Sequence, residues 1–382
     1  MNDRPANLRA WAEINLGALE RNLRLIRSAL PPYLKYIAVI KANAYGHGLA
    51  PVATRLMRAR ADAFAVANIE EAVRLREVGT GWPILLLSVL LPEEYRDAVQ
   101  LDLQLVLSSV PEIEALGEQA ASINRTVSVH LKIDTGMGRL GVWHPGFPRL
   151  LEALHRFPAL RLEGLCTHFS SADSDPDFTR TQRERFLNCL SRLPSAQLKR
   201  LLIHADNSAG IESFPRNGPF NAARVGLMQF GIRPSPGSLL GSARTEPVLS
   251  FHARIGLLKA LPAGTPISYG QSLRLQRDSR IAILTAGYAD GLTTALSNRG
   301  SVIIADHLCP ILGRVTMDQT IVDVTDLPQP PHVGQRATFI GQSPTQSISV
   351  RHYARSSGQI EWEVLCSLSA RTRRVYLTDS AL

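Results

Sequence analysis

Between residues 36 and 231 short apolar runs alternate with amphipathic stretches, the pattern of parallel strands joined by crossover helices. Eight runs predict strands, at 36–41, 63–67, 84–88, 103–107, 127–133, 162–168, 200–204 and 224–230. Near the start, Leu16, Leu19, Leu23, Ile26 and Leu30 recur at three- and four-residue steps and predict one helix face. A second helix is predicted over 69–78, stopped by Gly79. Eight strand and helix units in about 200 residues are what a (β/α)8 barrel requires, with an open doubly wound sheet as the alternative. After the Pro/Gly/Ser-rich stretch 234–244, helical spacing gives way to strand-like runs at 281–284, 302–304 and 320–324. The expected organisation is therefore an α/β chain with an amino-terminal barrel over 1–240 and a mainly-β domain over 241–382, which the first strand-like residues can join.

Composition narrows the function classes. A chain of 382 residues is too long for one ordinary core, and 45% hydrophobic with 20% charged residues describes a globular protein without a low-complexity block. The opening residues 1–11 lack the apolar core of a secretory leader, and the longest apolar run, 84–91, is too short to span a bilayer. A cytoplasmic protein with no membrane partner is expected. Cys166, Cys189, Cys309 and Cys366 show no CxxC spacing, so neither a metal site nor a disulfide framework is expected. The formal charge of +9 is dispersed rather than gathered into a basic patch, which argues against nucleic acid as a partner.

Only five lysines occur, at 35, 41, 132, 199 and 259. Lys41 ends the first predicted barrel strand, where barrels place their chemistry. An amine desolvated by apolar neighbours loses its charge more readily, and the neutral form condenses with an aldehyde cofactor. Lys132, near the end of the fifth strand, is the competitor.

The run Val39-Ile-Lys-Ala-Asn-Ala-Tyr-Gly-His-Gly48 resembles the cofactor-attachment motif of alanine racemases. The resemblance continues through Leu131-Lys-Ile-Asp-Thr-Gly-Met-Gly-Arg-Leu-Gly141, Gly164-Leu-Cys-Thr-His-Phe169, Asn207-Ser-Ala209, Tyr269-Gly270, Gly287-Tyr-Ala-Asp-Gly291 and Gly313-Arg-Val-Thr-Met-Asp318. It implies a pyridoxal-phosphate (PLP) enzyme of barrel-plus-β-domain plan that interconverts L- and D-alanine and supplies D-alanine for peptidoglycan. It also implies a homodimer with shared active sites.

Residue by residue, the resemblance makes Lys41 the cofactor-bearing amine and Tyr269 the opposing base, contributed by the partner subunit. Racemisation needs acid–base groups on both faces of the substrate carbon, Lys41 serving the D-face and Tyr269 the L-face. Since a free phenol ionises only near pH ~10, a base of this kind needs stabilising, and His168 and Arg224 are the implied partners. Tyr45, Asn207, Ser208 and the amides of Gly226 and Leu227 are implied to hold the phosphate, in the absence of any Walker or dinucleotide fingerprint. Arg224 is implied to face the pyridine nitrogen. A guanidinium donates there without yielding its proton, which weakens the ring as an electron sink and suppresses transamination. Arg139 is implied near the phenolic oxygen and the substrate carboxylate. Lys132 matches a lysine carbamylated in many relatives, Met317 and Tyr288 are implied to reach across the dimer, and Tyr288 and Asp318 are implied near the substrate entrance.

Three positions depart from the family pattern. Trp362 stands where a cofactor-contacting tyrosine is usual, Thr294 where many relatives carry arginine, and Phe230 where tyrosine is common. These bear on substrate breadth, leaving a serine-preferring or broader racemase as an alternative. A PLP-dependent amino-acid decarboxylase and a lone-barrel cofactor carrier are the competing classes.

Overall fold

The computed structural model describes residues 7–213, 218–234 and 239–378. Residues 1–6 of the amino-terminal segment and 235–238 of the Pro/Gly/Ser-rich stretch lie outside them. The chain divides into two compact units. One comprises the residues up to Ala18, Tyr45–Gly48 and everything from Pro247 onward; the other comprises Leu19–Ala44 and Leu49–Glu246.

The second unit is the barrel. Its parallel strands are β2 (Lys35–Val39), β3 (Ala63–Val66), β4 (Ile84–Leu86), β5 (Gln104–Leu107), β6 (Val127–Asp134), β8 (Leu160–Cys166), β9 (Leu202–His204) and β10 (Ala222–Val225), with the short β7 (Val142–Trp143) beside β6. They pair in the ring order β10, β2, β3, β4, β5, β6, β8, β9. Between β9 and β10 the Asn221 amide donates to the Ile203 carbonyl at 3.1 Å and the Arg224 amide to the Asp206 carbonyl at 3.0 Å, which draws the ring together. Covered on both faces, such strands read as unbroken apolar runs, as in the wholly buried Ala63–Val66. The helix Leu16–Ala29 buries Leu19, Leu23 and Ile26. The helix Ile69–Val78 is started by Asn68, whose side chain accepts from the Glu71 amide, and closed by the Gly79 amide on the Leu75 carbonyl.

Seven predicted strands coincide with observed ones to within a few residues, and the eighth is displaced. Residues 224–230 do not run on as a strand, because Ser208 Oγ takes the amides of Gly226 and Met228 from any ladder and Leu227–Phe230 turns as a 3-10 helix.

In the other unit β1 (Ala10–Asn15) runs antiparallel to the long β11 (Leu249–Leu261) and parallel to Arg373–Leu377. β11 also pairs with Arg336–Gln342 and Ser279–Leu284, and Phe251 stacks on Phe339 at 5.5 Å. The expectation that helical spacing ends at residue 244 fails at Val350–Ser357 and Glu361–Ser367. Ser349 caps the first on the His352 amide and Gly358, at φ 68°, ends it; Val350, Tyr353, Ala354 and Ser357 form its buried stripe.

Candidate active site

Lys41 follows β2, and the chain then turns against its normal hand. Ala42, Asn43, Ala44 and Tyr45 have φ of 54°, 53°, 55° and 51°. Left-handed backbone costs L-residues about 1–2 kcal/mol each, so this turn carries on the order of 4–8 kcal/mol of strain. Side chains and backbone hold it: the Ala44 amide donates to Ile40 carbonyl at 2.8 Å, the Asn43 amide to Glu71 Oε1 at 3.2 Å, and the Leu49 amide to Asn43 Oδ1 at 2.9 Å. Gly46 permits the following turn because a Cβ there would lie 2.2 Å from the Leu365 carbonyl oxygen.

Arg224 is buried, and among the described residues its guanidinium is held by carbonyls and imidazoles, with no salt bridge to a carboxylate. Nη1 donates to His204 Nδ1 at 2.6 Å and to the His204 carbonyl at 2.9 Å. Nη2 meets the carbonyls of Thr167 and Ala205 and, at 3.1 Å, His168 Nδ1. The remaining N–H, at Nε, has no acceptor among the described residues. Because arginine only donates, His168 and His204 must accept through Nδ1 and carry their protons on Nε2. His204 Nε2 then donates to His130 Nδ1 at 2.9 Å, and His130 Nε2 to Gln104 Oε1 at 3.3 Å. Burial and the Arg224 charge hold all three imidazoles neutral: His130 is pushed down to about 3, and His168 and His204 fall well below the usual histidine range.

His168 also feels Lys132, Arg139 and Lys41, so four cations converge on this end of the barrel. Lys132 alternates along β6 with apolar residues: Ser128, His130, Lys132 and Asp134 share one face, and the buried Val127, Val129, Leu131 and Ile133 the other. Burial, with Arg224 and Arg139 adding to it against Cys166 and Asp134, pushes the Lys132 amine down to about 8. Asp134 accepts the amides of Gly136, Met137 and Gly138, which shapes the loop presenting the exposed Arg139.

Ser208 Oγ accepts from the Gly226 amide at 3.1 Å and the Met228 amide at 3.3 Å, so its own proton remains to be donated. The Leu227 amide between them finds no acceptor among the described residues. Asn207 Oδ1 accepts from Ala209 and Gly210, shaping the turn that carries Ser208. The Ser208 hydroxyl and the Leu227 amide together form a cradle suited to an anion.

The barrel unit thus gathers Lys41, Lys132, Arg139, His168, Asn207, Ser208, Arg224, Gly226 and Leu227, while Tyr45, Tyr269, Tyr288, Met317, Asp318 and Trp362 fall in the β-rich unit. There an open groove of about 470 Å³ is lined by Tyr269, Tyr288, Thr294, Ser297 and Arg314–Thr316. Tyr269 is 72% exposed, on a turn whose Ser268 hydroxyl donates to the Arg314 carbonyl at 2.8 Å, next to a core of Ile267, Leu275, Ile281 and Leu312. Asp318 accepts from Arg371 Nη2 at 2.7 Å, and Trp362 is half-buried on the helix Glu361–Ser367. His130, His204, Gln104, Arg314 and Arg371 were not singled out from the sequence. For His130 the signal was present, since a polar residue recurring at alternate positions of an otherwise apolar barrel strand points inward.

Two family models cover the chain, "Alanine racemase, N-terminal domain" over residues 14–234 and "Alanine racemase, C-terminal domain" over 248–376. The chain is 38% identical over 367 residues to an alanine racemase of Halothermothrix orenii, covering 96% of each chain. Among solved structures it resembles alanine racemase of Clostridium difficile 630, with a TM-score of 0.90, 31% identity and 98% and 97% of the two chains covered. It also resembles the Bartonella henselae enzyme with covalently bound pyridoxal phosphate, with a TM-score of 0.88, 29% identity and 97% and 100% covered.

Proposed function

The chain belongs to the alanine racemase family, and we propose that two copies of it share the work of interconverting L- and D-alanine with pyridoxal phosphate as cofactor. When bound, the cofactor supplies an electron-withdrawing ring that acidifies the Cα–H of the substrate. The residues present fit it. Lys41 supplies the amine that holds the aldehyde carbon. The Ser208 hydroxyl, the Leu227 amide and Tyr45 hold the phosphate, the Gly226 amide fixing the Ser208 oxygen from behind, with Asn207 setting the turn and Trp362 taking the place of a further hydroxyl.

The observation that carries the reading is the donor set of Arg224. Both Nη atoms are consumed by carbonyls and neutral imidazoles, which leaves Nε as the donor for a ring nitrogen. A guanidinium so held gives a hydrogen bond and keeps its proton, which restrains electron withdrawal and favours simple proton exchange. His168 presents Nε2–H, the donor needed to hold a phenolate.

Lys41 moves the proton on one face of the substrate carbon and Tyr269 of a second copy moves it on the other. The exposure of Tyr269, of Tyr288 and of Met317 at 72%, 44% and 52% supports burial of this surface against a second copy. Arg139 binds the substrate carboxylate, Tyr288 and Met317 border its path, and Asp318 orients there through Arg371. Lys132 takes up carbon dioxide as a carbamate, for which its amine, titrating near 8, supplies the neutral nucleophile. The resulting anion orients Arg139. Cys166, Cys189 and Cys309 are buried thiols, which supports a reducing, cytoplasmic setting.

Incubating the holoenzyme with L-alanine in deuterated water is the test. D-alanine carrying one deuterium at Cα is expected; release of carbon dioxide without D-alanine overturns the reading in favour of a decarboxylase.

A further inference from the structure

Behind the anion cradle lies an ion pair that neither the sequence motifs nor the family resemblance point to. Ser208 hands the chain to the short helix Gly210–Ser213, while Gly226 and Leu227 hand it to the 3-10 helix Leu227–Phe230. These are the two arms of the cradle, 18 residues apart in sequence and joined directly by Ser208 Oγ. Glu212 sits on the first arm, four residues past Ser208, with its side chain fully buried. Arg233 follows the second arm by three residues, and its Nε lies 2.9 Å from Glu212 Oε1. The other carboxylate oxygen of Glu212 accepts the Leu239 amide at 3.1 Å. Arg233 Nη1 in turn donates to the carbonyls of Gly241 and Ala243 at 3.2 and 3.1 Å.

A carboxylate with no exposed surface is costly to desolvate, and a pair of this kind adds little to stability compared with apolar residues of the same volume. What it contributes is geometry: both ends are fixed by directional bonds, and a shift of either arm pulls opposite charges apart in a buried setting. We infer that Glu212 and Arg233 are positioning residues for cofactor phosphate, locking the Ser208 arm to the Gly226–Leu227 arm so that the Ser208 hydroxyl and the Leu227 amide converge on one anion. The inference rests on the phosphate cradle proposed above. Neither side chain touches the cofactor; each acts through the backbone of its arm.

The test separates phosphate from the rest of the cofactor. Apoenzyme is titrated with pyridoxal phosphate and with pyridoxal, which lacks the phosphate, and the ratio of the two affinities is the readout. Ser208→Ala is the control for the cradle itself: if it leaves the ratio unchanged, the cradle reading fails and the inference with it. Where Ser208→Ala lowers the ratio, Glu212→Gln is expected to lower it about tenfold through weaker phosphate-ester binding, with pyridoxal affinity unchanged, the size usual for a partner one residue behind a binding group. An unchanged ratio in Glu212→Gln overturns the inference alone. Should Glu212→Gln fail to fold, the double variant Glu212→Met/Arg233→Met, which replaces the pair by apolar volume, decides. A restored melting temperature with a low ratio supports positioning, and a wild-type ratio shows that the pair serves stability only.

Discussion

Lys132 offers the most quantitative check on the electrostatics of the barrel mouth. Its amine falls from the ordinary 10.5 to about 8, chiefly by burial and then under the opposed influences of Cys166, Arg224, Arg139 and Asp134. At 1.36 kcal/mol per pH unit, holding the charged form in the folded apoenzyme costs at most roughly 3 kcal/mol, and solvent relaxation brings this to about 1–3 kcal/mol. The sign follows from proton binding. Below about pH 8 the amine is charged in both states and the folded state bears the full penalty. Between about 8 and 10.5 the unfolded chain binds more protons than the folded one, so stability rises with pH until the penalty is gone. Lys132→Met is therefore expected to be more stable than wild type by about 1–3 kcal/mol at pH 7 in buffer freed of carbon dioxide, with the difference closing by pH 10.5. Denaturant unfolding of both apoproteins across that range reads it directly. Added bicarbonate should stabilise wild type at pH 8 and leave the variant unmoved, since only an amine forms a carbamate. Parallel stability curves for the two proteins would refute the assigned environment of Lys132, and indifference of wild type to bicarbonate would refute the carbamate.

Three substitutions away from Lys132 test backbone and side-chain packing in the same way. Gly164→Ala places a Cβ 2.3 Å from His130 Nδ1 and 2.6 Å from the Leu202 carbonyl oxygen, so chemical denaturation should show a loss of about 3 kcal/mol, together with disturbed imidazole nitrogen resonances of His130 and His204. Ala42→Gly, at an exposed position with φ 54°, should relieve left-handed strain and raise stability by about 1 kcal/mol, seen as a higher melting temperature of the apoprotein. Glu13, hydrogen-bonded by His252 and Trp11, is held at about 2; its contribution is complete above pH 4.5 and lost as pH falls through 2, so Glu13→Gln should flatten the acid limb of the stability profile.

The barrel was legible because its strands are buried on both faces and so stand out as apolar runs between amphipathic helices. At one place where the pattern misled, a hydrogen bond from a residue distant in sequence had overridden it. At 224–230 the hydrophobicity of a strand persists while Ser208 Oγ diverts two amides, something only a residue 18 positions earlier decides. The stripe Val350, Tyr353, Ala354 and Ser357 was present in the sequence, yet the helix is short and lies among strands that set the expectation. Lys41 and Tyr269 were singled out through motif resemblance. The imidazole column through His204 and His130 was not, because each histidine lies on a different strand and only closure of the ring brings them within hydrogen-bonding distance. The Glu212–Arg233 pair was invisible for the same reason.

In the proposed mechanism the amine of Lys41 and the phenol of Tyr269 act on one substrate from two copies of the chain. Mixing Lys41→Ala and Tyr269→Phe proteins, each inactive alone, tests it by complementation after subunit exchange. In a shared arrangement every mixed dimer holds one site with both residues intact, and random reassociation of equal amounts restores about a quarter of wild-type racemase activity. If the two residues serve the same chain, each mixed dimer carries one defect in each site, and activity stays at the level of the separate variants.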